Sequence, residues 1–387
     1  MISVMPKASL KQGQSPVFQP QLVPAGEISF WVIAGRNILF SAATQTLVEI
    51  NDTAAYIWRA IELGLDRESI FSEMVEQGLS LATAESYFDG AILEWTRLGF
   101  VKPSPQSASC ILSDKAPLCQ DIRVAGVPLR IRYATDLTPV VAPIFEHLES
   151  QGTTPDIALD VVERDRRTDL FRNGSWLLSC SHEETATVLK GQLLNEVLEG
   201  AVYELALHAA ALVRNGCMLL ISGHPGAGKT TLTLALVDAG FGFAGDDLAL
   251  LNSQGRVTGV PFAPAVKAGA WKLVATCRPD IHSVPVFRRP DRKRVRYPAP
   301  RGLVAALAYP VGWLVLLDRS PGATAALTPV DPISAVRWIL QESYAQGRQL
   351  TTAGFKAIGD AIDRAKYYRL TYSRLEDAVE LLDRTCR

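Results

Sequence analysis

The chain is poor in the residues that would mark a redox or zinc protein. Its six cysteines (110, 119, 180, 217, 277 and 386) are scattered, and no two form a CxxC pair. Zinc-ribbon and thioredoxin-like readings therefore have no support. Scattered thiols without a secretory signal fit a reducing compartment, so a cytoplasmic location is expected. Charge of one sign is not in excess either. Lys plus Arg number 39 against 40 Asp plus Glu, a formal net charge of −1. Nucleic-acid binders usually carry a basic excess, so no nucleic-acid partner is expected. Long apolar runs are lacking too. The longest, Leu303–Leu317, is interrupted by Pro310 and Gly312 and is too short to span a bilayer. No membrane partner is expected, and the run reads as two buried strands joined by a turn.

What is present is an ordinary globular composition. Hydrophobic residues make up 48% and charged residues 20% of 387 positions, which excludes a largely disordered chain. At roughly 150 residues per domain the length suggests two or three domains. Residues 1–20, rich in Gln, Pro and Ser, read as a loose tail. From 21 to 102 the pattern is three short β-type runs (Ile28–Ala34, Ile38–Ala43, Gln45–Ile50), the first two joined by a turn at Gly35–Asn37, and then three helices. Asn51 or Asp52, Asp66 and Thr83 are the expected caps, and Gly99 the expected stop. Residues 103–117, with three Pro and four Ser, read as a linker. The rest, 118–387, opens with a subregion of about 118–200 that holds strands at Asp121–Arg132 and Ile157–Val162 and a helical piece near Val141–Ser150. It then alternates helix, strand, Gly-rich turn and helix, the α/β signature.

The strongest local signal follows the apolar strand Cys217–Ser222. Gly223–His224–Pro225–Gly226–Ala227–Gly228–Lys229–Thr230 matches GxxxxGK[ST] in full, between a strand and the helix Thr231–Ala239. Glycines let the backbone N–H groups turn toward phosphate oxygens, and the helix presents its positive end to them. Lys229 would reach the β- and γ-phosphates, Thr230 would ligate Mg²⁺, and Thr231 lies in the first helical turn. ATP and Mg²⁺ are the expected cofactors. A second apolar strand, Gly240–Gly245, ends in Asp246–Asp247, the latter 18 residues past Lys229. Ligands of α/β sheets sit beyond strand carboxyl ends, so both acids should face the phosphates. One acid suffices for the metal, and a second can accept a proton from an attacking hydroxyl. His208 stands just before the phosphate-loop strand. A lone His in an apolar stretch is more often a core residue than a catalytic one, and its position leaves both readings open.

His208, GHPGAGKT at 223–230 and GDD at 245–247, in that order, resemble the HPr kinase/phosphorylase family and its peptide-modifying relatives. The resemblance is firm over about 205–250 and diffuse over about 118–387. It implies that His208, Lys229 and Asp247 are active-site residues and that Thr230 binds Mg²⁺; Asp246 is expected to help with metal or water. The stretch 259–275 departs from the family pattern. It has no acidic residue where the family has a Mg²⁺-binding Glu, and carries Lys267 and Lys272 instead. The family's catalytic Arg has only weak candidates, Arg296 and Arg301. The family's hexamers leave a homo-oligomer open.

The order of elements over about 28–102, with INDTAAYIW at 50–58 and LGFV at 98–101, is similar to PqqD and related leader-peptide recognition modules. Such modules bind a precursor peptide as an added strand against the third strand and third helix, which here implies contacts at Leu47, Val48, Glu49 and Trp95. A winged helix that only packs on the kinase is the plainer alternative. The run RRPDRKRVRYPAPR at 288–301 holds seven Arg or Lys and one Asp. It could close over ATP, hold an acidic or phosphorylated peptide, or be a solvated loop.

The expected architecture is an α+β winged-helix-like N-terminal domain joined to an α/β P-loop domain of HPr kinase type. The expected function is ATP-dependent phosphorylation of a Ser or Thr hydroxyl in a ribosomally synthesised precursor peptide captured through its leader, with other peptide-maturation enzymes as further partners. A P-loop NTPase that only gates peptide handover is the alternative. A DNA-binding regulator is disfavoured because the third helix, 83–99, carries three acids and one Arg.

Overall fold

The computed structural model describes residues 22–25, 28–42, 45–103, 118–152, 155–164, 167–345 and 349–387. The expected tail (1–20) and residues 104–117 of the expected linker lie outside them. The chain divides into two units. One comprises Met1–Pro117 with Asp160–His182, and the other Leu118–Leu159 with Glu183–Arg387. The stretch 160–182, which the sequence pattern groups with the later region, thus belongs with the first unit.

In the first unit, strands Ile28–Ile33, Arg36–Ser41 and Thr46–Ile50 form an antiparallel sheet in that order, with Trp31 opposite Ile38 and Leu39 opposite Val48. The first turn is tighter than expected. Ala34 and Gly35 both have left-handed φ (52° and 76°), as a two-residue hairpin requires. Helices Asp52–Glu62, Arg67–Glu76 and Leu81–Arg97 follow. Asn51 caps the first by accepting from the Ala54 N–H at 2.8 Å, and Asp66 caps the second by accepting from Ser69 at 2.7 Å. The third begins earlier than expected. Ser80, not Thr83, is the cap, and it accepts from the Thr83 N–H. Gly99 ends that helix at φ 70°.

The three helices bury Ile57, Trp58, Ile70, Met74, Ile92 and Trp95. Each large apolar side chain so removed from water contributes about 1.5–3 kcal/mol. Trp58 and Trp95 meet edge to face at 5.2 Å. The hairpin Arg167–Arg172/Ser175–Ser181, turned at Asn173–Gly174, packs its second strand along the third helix. Asp89 of that helix takes both Arg67 and Arg167.

The second unit opens with the hairpin Leu118–Val124/Val127–Ala134. The sequence pattern suggests one strand over 121–132. The turn escapes notice because Ala125 takes left-handed φ (47°) beside Gly126. A short helix, Thr138–Val141, and two 3-10 turns occupy the expected helical piece.

The main sheet has ten strands, eight of them in the order 242–245, 210–214, 217–222, 309–319, 256–259, 249–251, 205–207, 343–345. Strands 326–329 and 366–372 complete it. Strand 309–319 runs parallel to both 217–222 and 366–372. Leu219 and Ile221 join Leu232 and Leu236 of helix Lys229–Asp238 and Leu382 of helix Leu375–Thr385 in one core. The alternate residues Met218 and Leu220 join Ile339 and Ile358 of helices Pro332–Gln341 and Thr352–Ile362 in another. Apolar partners on both faces explain why CMLLIS is a continuous apolar run. Leu303–Leu317 differs from the expected pair of strands. Leu303 and Leu307 are exposed, and one strand, Tyr309–Arg319, contains Gly312. A Cβ there would lie 2.8 Å from that of Cys217, so glycine marks a close strand approach rather than a turn.

Candidate active site

Strand Ala210–Arg214 is antiparallel to both 217–222 and 242–245, so those two run the same way. Their carboxyl ends, with the phosphate loop on one and Asp246–Asp247 on the other, therefore reach the same edge of the sheet. His208, two residues before Ala210, arrives at that edge from the opposite direction. Its carbonyl accepts from the Ser222 hydroxyl at 3.2 Å.

The loop 223–228 leads directly into helix Lys229–Asp238, one residue or two earlier than expected at each end. Gly226 and Gly228 have φ of 91° and 98°. At Gly228 a Cβ would lie 2.9 Å from the Tyr372 hydroxyl, which donates to the Ala227 carbonyl at 3.3 Å. His224, Pro225 and Gly226 form the exposed tip, and Thr231 is half-buried in the first helical turn. The Lys229 ammonium curls back to donate to the Gly223 carbonyl at 2.6 Å. Burial moves its pKa below the usual lysine value, opposed by the charges of Glu342, Asp247 and Asp246.

The two acids stand in different surroundings. Asp246 is buried (2% exposed), and its Oδ2 accepts from the Thr230 hydroxyl at 2.8 Å. Its Oδ1 is buried without a hydrogen-bond partner. Burial, then the Asp247 charge, pushes its pKa up to about 7. Asp247 is half-exposed, and its Oδ2 accepts from the Lys190 ammonium at 3.0 Å. That cation, working against burial, holds the Asp247 carboxyl below the usual carboxylate range. His208 Nδ1 lies 3.7 Å from Glu342 Oε2, and the His208 N–H donates to the Glu342 carbonyl at 2.8 Å.

Lys229, Thr230, Asp246, Asp247 and His208 thus share one end of the sheet. Thr230 and the orphaned oxygen of Asp246 offer hard oxygen ligands suited to Mg²⁺. That ion commonly takes one or two protein oxygens and completes its shell with water and phosphate. Among the described residues, no group of three or more His, Cys, Asp or Glu is arranged to hold a metal alone. The donor set of Thr230 and Asp246 fits a metal that would complete its shell with water and phosphate.

No protein-family model matches the chain, and no curated protein matches it. Among solved structures it is similar to the HPr(Ser) kinase/phosphatase from Coxiella burnetii, at 13% identity and a TM-score of 0.22, over 46% of this chain and 94% of that one.

Three participants escape the sequence reading. Lys190 lies on the inward stripe of helix Thr185–Gly200 with Ala186, Leu189, Leu193 and Val197. A lysine on an apolar stripe is the signal that could have found it. Glu342 reaches His208 and Tyr372 reaches the phosphate loop through sheet pairing, and neither leaves a local trace. The weak arginine candidates are engaged elsewhere. Arg296 donates to the Ile281 carbonyl and lies over Trp271 at 4.3 Å, and Arg301 pairs with Asp280 at 3.1 Å. Lys267 and Lys272 are exposed, and Arg289 and Lys293 of the basic run share Asp291.

Of the expected peptide contacts in the first unit, Leu47 is 61% exposed on an edge strand and Val48 is half-buried. Glu49 is tied to Arg36. Trp95 does not line a surface. It is 2% exposed and part of the core against Trp58. The opposite edge strand also exposes apolar side chains, Trp31, Val32 and Ile33.

Proposed function

We propose that the protein is an ATP- and Mg²⁺-dependent kinase that phosphorylates a Ser or Thr hydroxyl of a ribosomally made peptide. The observation that carries this reading is the pair of adjacent acids, one buried on Thr230 of the phosphate loop and one half-exposed on Lys190. A plain NTPase needs only the first. In the proposed reaction the acceptor oxygen bonds to the γ-phosphorus as the bond to the ADP oxygen breaks, and the hydroxyl proton passes to Asp247. Lys229 leaves the Gly223 carbonyl to meet the β- and γ-phosphates, and the loop amides stabilise the transferring charge. Thr230 and Asp246 would hold Mg²⁺, which would neutralise phosphate charge. His208, backed by Glu342, orients the acceptor side of the site.

The test is the intact mass of candidate precursor peptides incubated with the protein, ATP and Mg²⁺. A gain of one phosphoryl group is expected. It should fall at least about a hundredfold in Lys229→Ala, which removes the charge on the transferring group. ATP hydrolysis with no phosphopeptide would favour the handover-gating NTPase instead.

Capture through the first unit is the second part of the proposal. Strand Thr46–Ile50 is a sheet edge with an exposed Leu47, which suits β-strand addition. Leu47→Asp should raise the KM for peptide about tenfold and leave kcat unchanged. Trp31→Ser is the paired variant. If it alone raises KM, capture belongs to strand Ile28–Ile33.

A further inference from the structure

Lys190 is kept where an ammonium is expensive to keep. It sits on an apolar helical stripe with its side chain 11% exposed, where a charge loses most of its hydration and must be repaid by close partners. Three contacts from three segments fix its Nζ. Asp247 Oδ2 accepts at 3.0 Å, the Ala263 carbonyl accepts at 3.1 Å, and the Tyr297 ring centroid lies at 5.5 Å. Tyr297 is itself held, its hydroxyl 2.9 Å from the Thr187 hydroxyl on the same helix as Lys190. The ammonium therefore has little freedom, and it engages one oxygen of Asp247, whose side chain is 47% exposed. Asp246 bonds in a different direction, to Thr230.

We propose that Lys190 is a positioning residue that divides the work of the two adjacent acids, holding Asp247 toward the acceptor and away from the metal that Thr230 and Asp246 would bind. This rests on the metal and acceptor roles proposed above. Two neighbouring carboxylates beside a divalent cation would otherwise both be drawn to it, since hard cations collect carboxylate oxygens. Lys190 competes for Asp247 with a buried charge of its own, and the acid so held can face an incoming hydroxyl.

The experiment is Mn²⁺ binding to the full-length protein without nucleotide, followed by electron paramagnetic resonance. The variants are Lys190→Met, Lys190→Arg, Asp247→Asn and the double variant Lys190→Met/Asp247→Asn. Lys190→Met should bind Mn²⁺ at least about tenfold more tightly, because Asp247 is released to the ion. The tightening should vanish in the double variant, and Lys190→Arg should stay within about threefold of wild type. A mere loss of nearby positive charge would tighten binding equally in the Asp247→Asn background, and that result, or no tightening at all, overturns the proposal. Lys190→Gln, which keeps a donor for the Ala263 carbonyl, serves if the Met variant does not fold. The readout needs no phosphoryl transfer, so a wild-type protein without kinase activity would sink the proposed function and leave this inference to be judged on its own.

Discussion

Asp246→Asn should make the protein more stable at pH 8 and nearly abolish the proposed Mg²⁺-dependent phosphoryl transfer. The stability half follows from burial. An aspartate ordinarily ionises near 3.8, and here burial and the Asp247 charge raise that to about 7. The folded state therefore holds the proton more tightly than the unfolded chain. Below about pH 4 the acid is protonated in both states and costs nothing. Between pH 4 and 7 the unfolded chain releases the proton first, and the folded state is progressively penalised. Above pH 7 the full penalty is present, on the order of 2–4 kcal/mol. Asparagine removes the charge and still offers an oxygen to the Thr230 hydroxyl. Urea unfolding at pH 4, 6 and 8 should show a difference between variant and wild type that grows with pH. A difference that is flat with pH would mean that Asp246 is not strained in the folded protein. The functional half follows from the same atom. The buried Oδ1 without a partner is the one that a metal would satisfy, so its loss should lower transfer by at least about a hundredfold. A residue that destabilises its own fold and serves the reaction is the pattern expected of a functional site.

What could be read from the sequence was whatever the chain encodes within one turn or loop. The phosphate loop is contiguous, and its glycines, lysine and threonine declare themselves by spacing. The caps Asn51 and Asp66 are likewise local. Ser80 and Thr83 are both cap-forming types three residues apart, so the local pattern does not choose between them, and their hydroxyls meet at 2.7 Å. The hairpin at Ala125–Gly126 carries no clear turn signal because its first residue is a type that rarely adopts left-handed φ. The parts of the site that were not legible come from pairings distant in sequence. Glu342 reaches His208 because strand Ser343–Ala345 pairs with Leu205–Leu207, and Lys190 reaches Asp247 across 57 positions. No local pattern signals such meetings. Trp95 shows the converse error. An aromatic on a helix expected to face a ligand is also the residue best suited to fill a core, and here the core took it.

Gly259→Ala should cost about 3 kcal/mol and disturb the candidate active site, although no sequence motif singles this glycine out. It lies on strand Arg256–Gly259, which passes close to strand Gly242–Gly245 immediately before the acid pair. A Cβ at Gly259 would sit 2.3 Å from the Ala244 carbonyl oxygen and 2.5 Å from its carbon. At Gly245 it would sit 2.7 Å from the Val260 carbonyl oxygen and 3.0 Å from the Val260 nitrogen. These neighbours are backbone atoms, of Ala244 in strand Gly242–Gly245 and of Val260 just past strand Arg256–Gly259, so neither can step aside as a flexible side chain could. The two glycines thus let two stretches of main chain press together, and that approach places Asp246 beneath the phosphate loop. Relief of the clash requires strand 242–245 to move away, and Asp246 with it, so the Thr230–Asp246 hydrogen bond should be lost in any variant that still folds. Gly269→Ala is the control, since a Cβ there meets nothing within 4 Å. Urea midpoints of the three proteins, with Mg²⁺-dependent ATP binding on those that fold, measure both effects. If Gly259→Ala unfolds within about 1 kcal/mol of Gly269→Ala, the strands are not in the contact that sets Asp246 in place.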